Sequence, residues 1–112
     1  MKKIEAIVRT SKLEKVREEL AKINVNFFTF YDVQGFGKQK GAEIHYRGAI
    51  YDMASIPRTV IEIIVSEEKT DEIIQCIINS ASTGEIGDGK IFVTAVERVF
   101  NIRKGEEGTS AL

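Results

Sequence analysis

The strongest constraint on this chain is an internal repeat. "IEAIVRTSKLEKVREEL", starting at Ile4, lines up with "IEIIVSEEKTDEIIQCI", starting at Ile61. In the first copy Ile4, Ala6 and Val8 alternate with polar residues, as a half-buried strand requires. Leu13, Val16, Leu20 and Ile23 then recur at helical spacing, with Ser11 the expected N-cap. In the second copy a strand, "RTVIEIIVS", leads into a helix whose Ile73, Ile74, Ile77 and Ile78 make one apolar face. Asp71 and Glu72 suit its first turn. Each copy is followed by a further strand, "VNFFTFYDVQGFG" and "KIFVTAV". The order β-α-β-β-α-β predicts an α+β, ferredoxin-like sandwich of four antiparallel strands with two helices on one face. "ERVFNIR" reads as a short extra strand and "KGEEGTSAL" as a mobile polar tail.

That arrangement leaves the other sheet face bare. Ile7 and Ile64 fall on it by parity, and an uncovered apolar sheet face marks an interface. Oligomerisation through the sheets is expected.

The chain has 112 residues, enough for one domain, expected to span 1–112. Its 16 basic and 17 acidic residues give a net charge of -1, which argues against a nucleic-acid binder that works by charge. No apolar run is long enough for direct membrane insertion, and "MKKIEAIVRT" lacks the apolar stretch of a signal peptide. Cys76 is the only cysteine, so no internal disulfide or cysteine-based metal site is expected. Cytoplasm is the simplest location.

Two glycine-rich loops stand out. In "TGEIGDGKIFV" Gly84, Gly89 and Lys90 match the G-x-x-x-x-G-K part of a Walker A sequence. Ile91, however, stands where that motif needs a Ser or Thr, and the loop runs from helix to strand rather than the reverse. "GFGKQKG", Gly35 to Gly41, has the same design. Glycines let backbone N–H groups approach an anion, and the lysines add charge. The bland alternative is a pair of ordinary turns. Together the loops suggest two halves of a polyphosphate clamp meeting across a subunit boundary, with Arg103 adding a cation. From Lys38, inside the first loop, to Ser55 runs a segment with no sustained period, about eighteen residues long, a length that is usually functional or disordered. Enzyme signals are weak. His45 is the only histidine, and no acid–base pair is distinguished. Glu62 reads as an edge charge, and Cys76 as a small core hydrophobe.

At these residues the sequence resembles the PII signal-transduction proteins of nitrogen regulation. "MKKIEAIVRTSKLEKV", "GFGKQKG", "YRGAIY" and "TGEIGDGKIFV" carry the resemblance, which covers nearly the whole chain. It implies a homotrimer of ferredoxin-like subunits with ATP or ADP in the clefts between them. It also implies a protruding T-loop at about 37–55, a B-loop at about 82–90 and a C-terminal loop at about 97–112. By resemblance Thr29, Gly37, Lys38, Gln39 and Ile64 lie on one side of the nucleotide. Gly87, Asp88, Gly89, Lys90, Asn101 and Arg103 lie on the other. The resemblance places 2-oxoglutarate beside Mg-ATP at Gln39, Lys40 and Arg58, with Gln39 helping to ligate magnesium. Tyr51 matches a uridylylation site of some members.

The departures are specific. Asn101 stands where the family usually has a phosphate-contacting arginine, Lys38 replaces an arginine, Arg58 a lysine, and Thr10 a proline. Ser82 stands where arginine is common, and "DMASIP" departs from the usual T-loop end. Two readings follow. One is a non-enzymatic sensor of ATP against ADP, modulated by 2-oxoglutarate. It would act through its T-loop on an ammonium transporter, a nitrogen-metabolism enzyme or a regulator. The other is a divergent PII-like adenylate sensor of another transport or metabolic system, without a 2-oxoglutarate response. A weak nucleotide hydrolase is a third reading, disfavoured by the missing acid–base pair.

Overall fold

A computed structural model of the chain describes residues 1–36, 44–46, 49–51 and 55–112, with residues 36, 44–46, 49–51, 55 and 56 described by backbone alone. The first repeat forms β1 (Lys2–Arg9), a 3-10 turn at Thr10–Lys12 and α1 (Leu13–Lys22). β2 (Thr29–Phe36) follows, then the short strands β3 (Ile44–Tyr46) and β4 (Ala49–Tyr51). The second repeat forms β5 (Ser55–Val65), a 3-10 turn at Glu67–Lys69 and α2 (Thr70–Ala81), and β6 (Gly89–Ala95) follows it. The main sheet has the order β2-β5-β1-β6, and every neighbouring pair is antiparallel. This is the ferredoxin-like arrangement that the repeat predicts, with the strands of the two repeats side by side at the centre.

The alternation in β1 and β5 decides which face is core. Ile4, Ala6, Val8, Ile61, Ile63 and Val65 are buried beneath the helices. Val16 and Leu20 of α1 and Ile73, Ile77 and Ala81 of α2 close over them. Ile78 departs from the expected helix face and is 45% exposed. At 100° per residue it lies about 100° beyond Ile77, past the edge of the buried stripe.

Both helix entries differ from expectation. Ser11 is not an N-cap. It lies within the 3-10 turn, and Lys12 occupies the cap position of α1 without a side-chain hydrogen bond. The long aromatic strand expected from Val25 begins only at Thr29. The reason is local. Asn24 adopts φ 65, and its N–H donates to the Ala21 carbonyl while Val25 N–H donates to that of Leu20. This is a Schellman closure, and it turns Val25 back onto the core instead of into the sheet.

The segment read as irregular also contains structure. β3 and β4 pair antiparallel, Ile44 with Tyr51 and Tyr46 with Ala49. β2 and β5 stay paired out to Phe36 and Ser55. Pro57 is accommodated because β1 pairing stops at Arg9 and Arg58, so Pro57 has a strand neighbour on one side only. Conversely, "ERVFNIR" is not a strand. It contributes a single bridge, Phe100 to Glu107, and the polar tail folds back on it. Among the described residues no helix is long and apolar enough to cross a membrane.

Candidate functional site

The loop between α2 and β6 is built around one carboxylate. Asp88 accepts hydrogen bonds from Thr83 N–H at 2.8 Å and Gly84 N–H at 2.9 Å. It also accepts from the Thr83 hydroxyl and from Arg9 Nε, the latter at 3.1 Å. A second arm of Arg9 donates to the Ile86 carbonyl at 3.1 Å. The Thr83 donors, with help from Arg9 and Gly84, hold the Asp88 carboxyl well below the usual carboxylate range. The loop path needs glycine, since Gly84, Gly87 and Gly89 all have positive φ. At Gly89 the need is also steric. A Cβ there would lie 1.7 Å from the Ile7 carbonyl oxygen of the paired strand.

This bracing leaves a consistent surface. Among the described residues the amides of Ile86, Gly87 and Asp88 donate to no protein acceptor. Lys90 follows immediately, exposed and opposite Ile7, with no ion pair among the described residues. Three open amides and an ammonium are the donors that this loop has free for an anion, and Asp88, its oxygens already engaged, is its internal brace.

The other expected residues are distributed as follows. Thr29 begins β2 opposite Glu62, and Ile64 lies two residues further along β5, so both share the open sheet face with Lys90. They are not brought to the loop within one chain. Lys90 pairs with Ile7 and Ile64 with Lys3, four residues along β1, roughly 14 Å. Glu62 is not at an edge, because β5 lies between β2 and β1. It accepts a hydrogen bond from Tyr31 Oη at 3.1 Å and meets Lys3 Nζ at 3.5 Å, while Lys3 also meets Glu5 at 2.8 Å.

Arg58 lies directly across from Arg9, a placement that costs free energy for like charges. Arg9 turns to Asp88, whereas Arg58 donates to the Pro57 carbonyl at 3.1 Å and has no carboxylate partner among the described residues. Burial, then Arg9, lowers the Arg58 pKa from its ordinary value. Thr10, where the family it resembles has proline, places its hydroxyl 3.1 Å from that of the buried Thr59. Gly37, Lys38, Gln39 and Lys40 lie outside the described residues. So does the side chain of Tyr51, whose backbone ends β4.

Asn101 and Arg103 lie on a closed turn beyond β6. The Asn101 side chain donates to Glu106 at 3.0 Å and accepts from Lys104 N–H at 2.9 Å. Arg103 is exposed at the tip. A hollow of about 510 Å3 adjoins the loop, between Ile74, Ile77 and Ile78 of α2 and Ile91 and Val93 of β6, with Ser82, Asp88, Gly89 and Lys90 also in its lining. Its walls are mostly apolar.

The residue that sequence reasoning missed is Arg9. Its role depends on a partner 79 positions away, and its only local signal is a cation at the end of a strand.

A repeated β-α-β unit with a braced glycine loop and an open sheet face defines a small ferredoxin-like module. The family model "Nitrogen regulatory protein P-II" matches residues 1–106. Over 112 residues, the full length of both chains, the sequence is 49% identical to "Nitrogen regulatory protein P-II" of Pasteurella multocida (strain Pm70). It is 48% identical, again over the full length of both, to the protein of the same name in Haemophilus influenzae and to "Nitrogen regulatory protein P-II 1" of Escherichia coli (strain K12). The chain belongs to the P-II nitrogen regulatory family, and it is a signal-transduction protein, not an enzyme.

Proposed function

We propose that this chain is a trimeric, cytoplasmic sensor of ATP against ADP that regulates nitrogen metabolism or ammonium transport through target proteins. The observation that carries the reading is the loop at residues 83–90. Its amides at Ile86, Gly87 and Asp88 are open, its shape is fixed by Asp88 and Arg9, and Lys90 stands beside it. Such a surface suits the phosphates of a nucleotide. Thr29 and Ile64 lie too far along the same face to complete the site in one chain, which supports a cleft shared between copies. Arg103 would add a cation from the C-terminal turn.

Arg58, without a carboxylate partner among the described residues and flanked by Arg9, suits a dicarboxylate such as 2-oxoglutarate beside the nucleotide. Magnesium would arrive with ATP, held by its phosphates and Gln39. Contacts with an ammonium transporter, a nitrogen-metabolism enzyme or a regulator would run through residues 37–55, where Tyr51 is the candidate modification site.

A second reading has one observation in its favour. Asn101 is uncharged and its side chain is engaged within its own turn, so it would offer the terminal phosphate of ATP no cation. This fits a divergent adenylate sensor serving another system without a 2-oxoglutarate response. Calorimetric titration with ATP, ADP and AMP, each with and without magnesium and 2-oxoglutarate, separates the two. Tightening of ATP by 2-oxoglutarate supports the first reading, no such tightening supports the second, and no adenylate binding ends both.

A further inference from the structure

The geometry points to Asn101 as a positioning residue that keeps two cations available for an anionic ligand, an inference resting on the nucleotide reading above. The turn at residues 99–108 is closed by a compact set of bonds. Asn101 N–H donates to the Glu106 carbonyl, and Gly105 N–H donates to the Asn101 carbonyl, each at 3.0 Å. Gly108 N–H donates to Val99 at 2.9 Å. The Asn101 side chain then works in both directions, accepting from Lys104 N–H and donating to the Glu106 carboxylate. Of asparagine, arginine, aspartate and alanine, only asparagine, with its amide, does this. Arginine has no acceptor for the Lys104 N–H, aspartate would meet Glu106 with a like charge, and alanine makes neither bond.

The consequence lies in what the acids are prevented from doing. "RKGEE" places Arg103 and Lys104 beside Glu106 and Glu107, within reach of self-neutralising pairs. Instead Asn101 holds Glu106, and Arg98 holds Glu107 at 2.7 Å while its guanidinium lies 4.8 Å over the Phe100 ring. Arg103 and Lys104 are exposed, and among the described residues they make no ion pair. Asn101 thus both withdraws the competing carboxylate and fixes the turn, so ligand binding does not have to order it.

The test uses the full chain and three variants, Asn101→Ala, Asn101→Asp and Asn101→Asp/Glu106→Gln. Amide exchange is read at Lys104 and Gly105 without ligand, and ADP and ATP affinity by calorimetry. Asn101→Ala and Asn101→Asp should each speed exchange by about tenfold or more. Both should weaken ADP and ATP by a similar factor, about three- to tenfold. The double variant exchanges donor for acceptor and should restore both readouts, which a generic loss of packing would not. Unchanged exchange in Asn101→Ala, a loss confined to ATP, or failure of the double variant to recover overturns the proposal. If the native chain binds neither nucleotide, the underlying reading fails along with it. Exchange at Lys104 and Gly105, measured without ligand, tells that failure apart from a wrong account of the turn.

Discussion

Arg9 and Asp88 stand 79 residues apart in the chain and 3.1 Å apart in space. One is the last residue of the first strand, the other the carboxylate around which the loop before the last strand is wound. The ladder between β1 and β6 brings them together, with Val8 opposite Gly89, so loop shape is tied directly to sheet register. Replacing Arg9 with Leu should therefore leave the fold intact, loosen residues 83–88 and weaken adenine nucleotides by on the order of tenfold. Hydrogen exchange at Thr83 and Gly84 reads the loosening. Unchanged protection there would mean that Thr83 alone suffices.

Asp88 also sets a pH dependence. Its carboxyl is held below its ordinary value, chiefly by Thr83. A depressed carboxylate contributes stability above its unfolded pKa, about 3.9, and loses it as pH falls through the lower, folded value. The loop should thus stay closed through mildly acidic pH and open only below the usual aspartate range. Asp88→Asn should remove this acid-sensitive component, since the amide cannot be protonated there. Carboxyl-carbon NMR titration of Asp88 is the measurement, and an ordinary midpoint would refute the bracing role.

The loop glycines should differ sharply in tolerance. Gly84 and Gly89 both have positive φ, but a Cβ on Gly84 meets nothing within 4 Å, while on Gly89 it strikes the Ile7 backbone at 1.7 Å. Gly84→Ala should cost only the left-handed backbone strain, about 1 kcal/mol. Gly89→Ala should cost about 3 kcal/mol or more, because β1 and β6 would have to separate. Thermal unfolding of the two variants compares them directly, and equal losses would contradict the close approach.

Lys90 tests the anion surface itself. Its ammonium is exposed and free of ion pairs among the described residues, so Lys90→Ala should leave stability nearly unchanged. Nucleotide affinity should fall by on the order of 1.5–3 kcal/mol, the worth of one charge-assisted contact. Native affinity in the variant, measured by calorimetry, would reduce the loop to a turn.

Much of this architecture was legible in the sequence because it rests on short-range periodicity. The alternation around Ile4 and Ile61 and the helical spacing of Val16 and Leu20 carry the repeat, the sheet order and the core. Boundaries were less legible where a local hydrogen bond overrides propensity. Asn24 in the left-handed region turns Val25 onto the core, though the aromatic run after it favours a strand. β3 and β4 were hidden because three residues are too few to establish a period. At the site, glycine spacing located the loop, and the long-range Arg9 contact left no trace in it. The sequence presented Asn101 as a nucleotide-side residue that lacks the usual cation, not as a residue that holds a turn. That its amide holds a turn depends on Lys104 and Glu106 folding back, which no pattern announces.

The open sheet face decides whether the chain works alone. Lys3, Glu5, Glu62 and Tyr31 satisfy one another across its centre. Ile64 and Phe92 remain exposed beside them, 36% and 47% accessible. A face with its charges already paired and its apolar groups open is suited to burial against further copies of itself. The native chain is therefore expected to sediment as a trimer at micromolar concentration. Phe92→Lys provides the sharper test. Phe92 pairs with Glu5 on β1, so an ammonium at this position has an acid directly across the strand and the single sheet should tolerate it. Assembly would instead place three such cations at the interface, where desolvation and mutual repulsion oppose association. The variant should fold, keep its helical signal and sediment as a monomer with weakened nucleotide binding, because a cleft shared between copies would be lost. A trimeric variant would move the interface off this face. A monomeric native protein with undiminished nucleotide affinity would show that one chain holds the complete site.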